Sequence, residues 1–329
     1  MRVAVIGGGM AGLSAAWELL RGGADPIVFE AGARAGGKVK SVREGGWLSE
    51  DGPHFIAQPL DSLLEGAGLR GSVVDPAPPK TRWLWMNGQK LRAPSIQLLG
   101  QVGLPRVLLE PLFSKPLQAD QPLEEFLVGR LGRRAGQLAG TLLSSGVYAG
   151  DPKRLSALSA FPTLSKGSLL LRRGKRPPIW SLRDGLGSLP AALAAKLGER
   201  VRAGTPVTRL EPAAKGWTVD GVAFDKVVLA VPASAAARLL PRLADKLSEL
   251  RTAPVTLLHL GFPERELPRG FGLLDASDSL RFLGALLPSS MLPGRAPQGF
   301  ALVTAICGGA RHPELASLPD EALEEAVRE

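Results

Sequence analysis

The sequence predicts an α/β fold that begins with a parallel strand–helix–strand unit and continues into α+β and helical regions. Three observations predict it. An apolar run, Val3-Ala4-Val5-Ile6, enters a glycine turn, Gly7-Gly8-Gly9-Met10-Ala11-Gly12; a helical stretch follows; and a second apolar run, Ile27-Val28-Phe29, is closed by Glu30. In that order these segments make a Rossmann-like βαβ unit, the arrangement that cradles a dinucleotide.

Each residue type in the turn has a mechanical reason. Gly7 permits the tight passage from strand to helix, Gly9 lets backbone approach a pyrophosphate, and Gly12 lets the helix pack closely on the sheet. Met10 and Ala11 open the helix, where free N–H groups and the positive end of the dipole face the phosphates. Glu30 lies 18 residues beyond Gly12, placed to accept hydrogen bonds from a ribose. A carboxylate there repels a 2′-phosphate, so FAD or NAD fits and NADP does not.

A chain of 329 residues gives a prior of about two domains. Its composition, 45% hydrophobic and 22% charged, is that of a globular protein, and 28 Pro and 40 Gly imply many turns. The single cysteine, Cys307, excludes an internal disulfide, and His54, His259 and His312 have no metal-ligand spacing, so no metal is expected. Met1 leads directly into the first strand and no apolar run approaches the roughly 20 residues that span a bilayer, which makes a cytoplasmic protein the expectation.

Residues 186 to 197 read as a helix, and Val207-Thr208-Arg209-Leu210, Trp217-Thr218-Val219 and the run from Asp225 to Pro232 as strands. Between 92 and 126 the spacing of Pro94, Pro105, Pro111, Pro116 and Pro122 among leucines predicts short helices started by proline. Only Arg92, Arg106 and Glu110 are charged from 92 to 114, so this region is either an interfacial, peripheral membrane surface or a second buried core. The net charge is +9, and Lys166, Arg172, Arg173, Lys175, Arg176 and Arg183 cluster within 18 residues. Such a run suits phospholipid headgroups or bare solvent; with one nearby aromatic, Trp180, and no recognition module, nucleic acid is not an expected partner.

Two segments carry a resemblance. Glu30-Ala31-Gly32-Ala33-Arg34-Ala35-Gly36-Gly37-Lys38 resembles the second fingerprint of the flavoprotein superfamily that includes amine oxidases, phytoene desaturases and protoporphyrinogen oxidases, with Lys38 where arginine is usual. Ser145-Gly146-Val147-Tyr148-Ala149-Gly150-Asp151-Pro152, followed by Lys153-Arg154-Leu155-Ser156, resembles a segment of the protoporphyrinogen and coproporphyrinogen oxidases. Asp51-Gly52-Pro53-His54-Phe55 and Gly308-Gly309-Ala310-Arg311 are similar to two more segments of that family.

The resemblance implies FAD as cofactor, held by Gly7, Gly9, Met10, Ala11, Gly12, Glu30, Ala31, Arg34, Gly36, Gly37, Lys38, Gly52, Pro53, His54 and Val207. It implies a tetrapyrrole substrate anchored by Arg82 through a propionate and bounded by Gly146, Leu274, Leu286 and Ile306, where Ile306 replaces an aromatic residue common in the family. No side chain announces itself as a catalytic base; the Gly146 backbone is the one candidate. The implied domains are 1–78 and 181–250 for FAD, 79–118 and 251–329 for substrate, and 119–180 as a helical region.

The reaction implied is oxidation of protoporphyrinogen IX to protoporphyrin IX with molecular oxygen as acceptor, by a protein that is a homodimer or a monomer. Coproporphyrinogen III, or the substrate of another amine-oxidase-like oxidase or desaturase, stays open. The family also continues past the point where this chain stops in a helical pattern, at 321–329. A non-catalytic tetrapyrrole- or membrane-binding protein therefore stays open as well.

Overall fold

The two N-terminal apolar runs lie side by side as parallel strands, Arg2–Ile6 and Asp25–Phe29, in a four-stranded sheet completed by Lys226–Leu229 on one edge and Val201–Arg202 on the other. This computed structural model describes residues 1–77, 81–93, 95, 97–98, 100, 104–113, 116–162, 167, 178–277 and 279–328. The chain divides into two compact units: Met1–Pro76 with Pro178–Arg251, and Ala77–Pro177 with Thr252–Glu329.

In the first unit the sheet is buried on both faces, which explains why its strands read as unbroken apolar runs. Because side chains alternate along a strand, Val3, Val5 and Val28 turn to one face. There they meet Leu13 and Ala16 of the helix Met10–Arg21 and Leu189, Leu193 and Leu197 of the helix Ser188–Leu197. Ala4, Ile6, Ile27 and Phe29 turn to the other and pack with Val219, Phe224 and Leu239. Val219 and Phe224 belong to a three-stranded antiparallel sheet, Leu210–Pro212, Trp217–Val219 and Val222–Phe224. Each fully buried aliphatic side chain contributes on the order of 1.5–3 kcal/mol, so this core fixes the strand ends on which the glycine turn sits.

The strand expected from Val207 begins only at Leu210. The carboxylate of Asp220 accepts the N–H groups of Thr208 at 3.1 Å and Arg209 at 2.8 Å, together with the Thr208 hydroxyl at 2.8 Å, and so takes the place of ladder partners.

The second unit holds a mixed six-stranded sheet ordered Val255–Pro263, Phe300–Gly308, Gly284–Leu286, Gly272–Asp275, Arg82–Met86, Gln89–Ala93. Only Gly272–Asp275 and Arg82–Met86 pair in parallel. Leu323 of the helix Asp320–Arg328 and Leu315 of a preceding 3-10 turn pack on Ala305 and Cys307 and cover one sheet face. Burial pushes the Cys307 thiol up to about 11, so it is no nucleophile at neutral pH.

The helical part of this unit contains Leu104–Phe113, Leu123–Leu131, Arg133–Tyr148 and Ala157–Ala160. Gly132, at φ +83°, turns the chain between the second and third. A Cβ on Gly136 would stand 2.4 Å from the backbone of Val128, so the two helices cross at a glycine. Pro122 caps a helix start as expected, but Pro111 lies inside Leu104–Phe113, not at a start; it forfeits one i→i−4 bond in a helix that ends two residues later. Pro94 and Ile96 lie outside the described residues, as do Lys166, Arg172, Arg173, Lys175 and Arg176 of the basic run; Arg183 is described and exposed.

Candidate functional site

The glycine turn opens one wall of a cavity of about 760 Å³ within the first unit. Gly7, at φ +105°, adopts a conformation that disfavours any other residue, and its Cβ would strike the Ala230 carbonyl oxygen at 2.4 Å. Gly12 packs so closely on the turn that its Cβ would overlap the Gly7 carbonyl oxygen. Gly9 differs from both. Its extended backbone is open to any residue, and the only atom near its Cβ position is Gly37 Cα at 3.9 Å. The space at Gly9 is therefore kept clear by the cavity, not filled by protein.

The helix behind Gly9 has no side-chain N-cap, and Met10 and Ala11 of its first turn line the cavity. Unsatisfied N–H groups and the positive dipole end thus face the space, as an anion requires. Glu30 closes the next strand. Its Oε2 accepts the Gly8 N–H and its Oε1 the Gly32 N–H, both at 2.7 Å, which fixes the carboxylate at the cavity edge with further lone pairs to offer a ribose. Gly8 follows from this contact: a Cβ there would stand 2.8 Å from that of Glu30. Gly8 has no place in the GxGxxG spacing, and its signal in the sequence is the triple glycine.

The second glycine loop lies against the first. Gly36 donates its N–H to the Gly8 carbonyl at 2.8 Å, and a Cβ on Gly37 would meet Gly9 Cα at 3.0 Å. Of the expected cofactor residues, Gly7, Gly9, Met10, Ala11, Glu30, Ala31, Gly36, Gly37, Lys38 and Val207 line the cavity. Gly12, Arg34, Gly52, Pro53 and His54 do not. Arg34 turns its guanidinium to the carbonyls of Ala35 and Gly37, at 3.2 and 3.4 Å, and braces its own loop. Gly52 packs on the Lys38 carbonyl and supports that loop from behind. Residues that no motif singled out complete the lining, among them Phe29, Thr208, Val231, Pro232 and Arg238.

The five residues expected at the substrate belong to the second unit. Directly paired residues of a ladder share a face. Arg82 pairs with Gly272, Gly272 with Leu286, and Leu286 with Thr304, which makes one row across four strands. The next row runs Leu84, Leu274, Gly284, Ile306. Arg82, Leu274, Leu286 and Ile306 therefore share one sheet face. Gly146, on the helix Arg133–Tyr148, joins them: a Cβ there would lie 3.4 Å from Leu274 Cδ1, so bare helix backbone faces that leucine. Arg82 is exposed, its guanidinium 4.9 Å from the centre of the Phe271 ring, a contact that orients the cation without neutralising it. The same helix is tied down at its end, where Arg311 donates to Ser145 Oγ at 2.9 Å and Ala310 to the Ala149 carbonyl at 2.7 Å.

Among the described residues no cluster of His, Cys, Asp or Glu could hold a metal ion, and no helix is long and apolar enough to cross a membrane.

A strand, glycine turn, uncapped helix and ribose-facing carboxylate around one cavity define a dinucleotide-binding protein. The model of the flavin containing amine oxidoreductase family matches residues 10–329. Human protoporphyrinogen oxidase is 32% identical over 93% of this chain and 77% of its own length. The chloroplast protoporphyrinogen oxidase 1 of Spinacia oleracea is 29% identical over 98% of this chain and 69% of its own. A solved structure assigned as a protoporphyrinogen oxidase, from Exiguobacterium sp. 255-15, superposes with a TM-score of 0.85 at 25% identity, over 99% of this chain and 81% of that one. The chain belongs to the flavin-containing amine oxidoreductases, in their protoporphyrinogen oxidase group. It is an FAD-dependent oxidoreductase. The residues present fit FAD, since the uncapped helix end, the clear space at Gly9 and the tethered Glu30 match its pyrophosphate and ribose.

Proposed function

We propose that this protein oxidises a porphyrinogen, protoporphyrinogen IX to protoporphyrin IX, with oxygen as final acceptor. The observation that carries the reading is the shared sheet face on which Arg82, Leu274, Leu286 and Ile306 meet Gly146. An apolar macrocycle with acidic arms needs such a surface: leucines and an isoleucine to cover the ring, and a guanidinium at its margin to hold a propionate through two parallel hydrogen bonds. Bound flavin supplies hydride-accepting, two-electron chemistry. The protein's part is to position the reacting carbon and exclude water. Glu30, Lys38 and the turn glycines hold the cofactor, and Arg82 orients the substrate. Ile306 offers bulk without a stacking face, which leaves coproporphyrinogen III as the rival substrate.

The test is direct. Purified protein loaded with FAD should lose its flavin absorbance on anaerobic addition of protoporphyrinogen, then release porphyrin fluorescence and peroxide when air is admitted. A flavin that stays oxidised with both porphyrinogens would overturn the reading. Faster bleaching by coproporphyrinogen would move the substrate assignment to the four-propionate ring.

A peripheral membrane contact accompanies this proposal, supported by one helix that is inside out. On Leu104–Phe113 the polar side chains bond back to the protein: buried Glu110 accepts from Arg130 at 3.1 Å, and Arg106, though exposed, donates to the Gly129 carbonyl at 3.2 Å. Leu108, Leu109 and Leu112 are 62%, 45% and 75% exposed. Three exposed leucines on one helix suit a lipid surface. Replacing Leu108 and Leu112 together by glutamate should abolish cosedimentation with phospholipid vesicles while leaving thermal stability within a few degrees. Unchanged sedimentation would remove this helix from the membrane contact.

A further inference from the structure

The cofactor cavity carries a cation that neither glycine motif announces. The helix Ala233–Leu239 turns Ala235, Arg238 and Leu239, spaced i, i+3 and i+4, toward the cavity. Pro206, Val207 and Thr208 line the same cavity. Leu239 and Val207 share one cluster with Phe29, so the helix and the 206–208 segment close over a common floor.

The 206–208 wall is held rigidly. Asp220, itself at φ +46°, grips Thr208 and Arg209 through the three hydrogen bonds described above. Burial acts to raise the Asp220 pKa, but the bonds from Thr208 and Arg209 outweigh it and keep the carboxyl below its ordinary value. Arg238 is exposed, and no described carboxylate lies within ion-pair distance of it. Arg34 is engaged with its own loop, and Lys38 belongs to the glycine loop. Arg238 is thus the one guanidinium among the described residues that line the cavity, and it has no described ion-pair partner.

We propose that Arg238 stacks on the adenine of the dinucleotide, against the wall formed by Val207 and Thr208, and thereby gives the site its hold on the adenosine half. A planar guanidinium suits an aromatic base because it offers both a stacking face and edge donors. The pyrophosphate is served by the helix end and needs no further cation. This inference rests on the flavin cofactor and is independent of the porphyrinogen reading.

The test measures binding, with FAD, ADP and inorganic pyrophosphate as probes, FAD by fluorescence quenching and the other two by displacement. Arg238→Ala should weaken FAD and ADP about tenfold and leave pyrophosphate unchanged. Arg238→Lys, which keeps the charge and loses the plane, should recover less than half of that loss on a logarithmic scale. Because Arg238 is exposed, both variants should melt within a few degrees of the parent. ADP affinity within twofold of the parent in Arg238→Ala would overturn the proposal. So would an equal loss for pyrophosphate, or full recovery by lysine, either of which would make Arg238 a simple phosphate cation.

Discussion

Gly9→Val should yield a folded protein that no longer retains flavin. The structure separates Gly9 from its neighbours in this respect. Gly7 needs its positive φ, and Gly12 has the Gly7 carbonyl where a Cβ would go, so substitution at either should destabilise the turn itself. At Gly9 the backbone is extended and the Cβ position is clear of protein by 3.9 Å. A side chain there starts into the space in front of the helix N-terminus, beside Gly37, which is where a pyrophosphate would come. Pushing a phosphate back from amides it would otherwise contact costs on the order of 1–3 kcal/mol, or roughly fivefold to 150-fold in FAD affinity. The checks are flavin content after purification and a thermal melt. Flavin retained at the parental level would show that the pyrophosphate lies elsewhere, and a melt lowered by many degrees would show that Gly9 serves the fold after all.

How far the site was readable from the chain follows from which contacts are local. Gly7, Gly9, Gly12 and Glu30 are readable because the strand, turn and helix that use them are continuous in sequence: Gly7 answers to its positive φ and Gly12 to the Gly7 carbonyl, although the Ala230 carbonyl that also crowds Gly7 comes from far along the chain. Gly8 escaped because its demand comes from a side chain, the Glu30 carboxylate, and not from the turn. Arg238 escaped for a different reason. It reaches the cavity from a helix some two hundred residues later, and a cation at that place has no fixed spacing from the turn.

The secondary-structure differences have the same origin. A stretch rich in valine and threonine reads as a strand from Val207, yet the Asp220 carboxylate takes the N–H groups that a ladder would need. The helix Leu104–Phe113 left two readings open, lipid-facing or buried, because periodicity shows which residues share a face and not which way that face turns. The Glu110–Arg130 pair draws that side of the helix inward and leaves Leu108, Leu109 and Leu112 exposed, the orientation on which the proposed membrane contact rests. Conversely, the face proposed for the substrate was legible only through resemblance. Arg82, Leu274, Leu286 and Ile306 stand on four strands scattered over more than two hundred residues, and only the register of the sheet puts them in two adjoining rows.

Arg82→Ala should weaken tetrapyrrole binding by the loss of a charge-assisted, bidentate contact, about 1.5–3 kcal/mol, or roughly tenfold to a hundredfold in dissociation constant. The side chain is well placed for so large an effect. It stands in the row formed with Gly272 and Leu286, on the strand next to the sheet edge, it is exposed, and its partner among the described residues is the Phe271 ring, which holds the guanidinium in place without satisfying its charge. Removing it should cost little stability, since an exposed cation over a ring is worth about 0.5–1 kcal/mol. Arg82→Lys should restore only part of the affinity, because an ammonium keeps the charge and loses the planar fork. Porphyrin binding followed by fluorescence quenching measures these differences without requiring turnover. Esterified porphyrin supplies the control: the parent should bind it less tightly than the free acid, and Arg82→Ala should bind it as the parent does. If Arg82→Ala bound the free acid with parental affinity while its flavin content stayed intact, the propionate anchor would have to be sought on another cation.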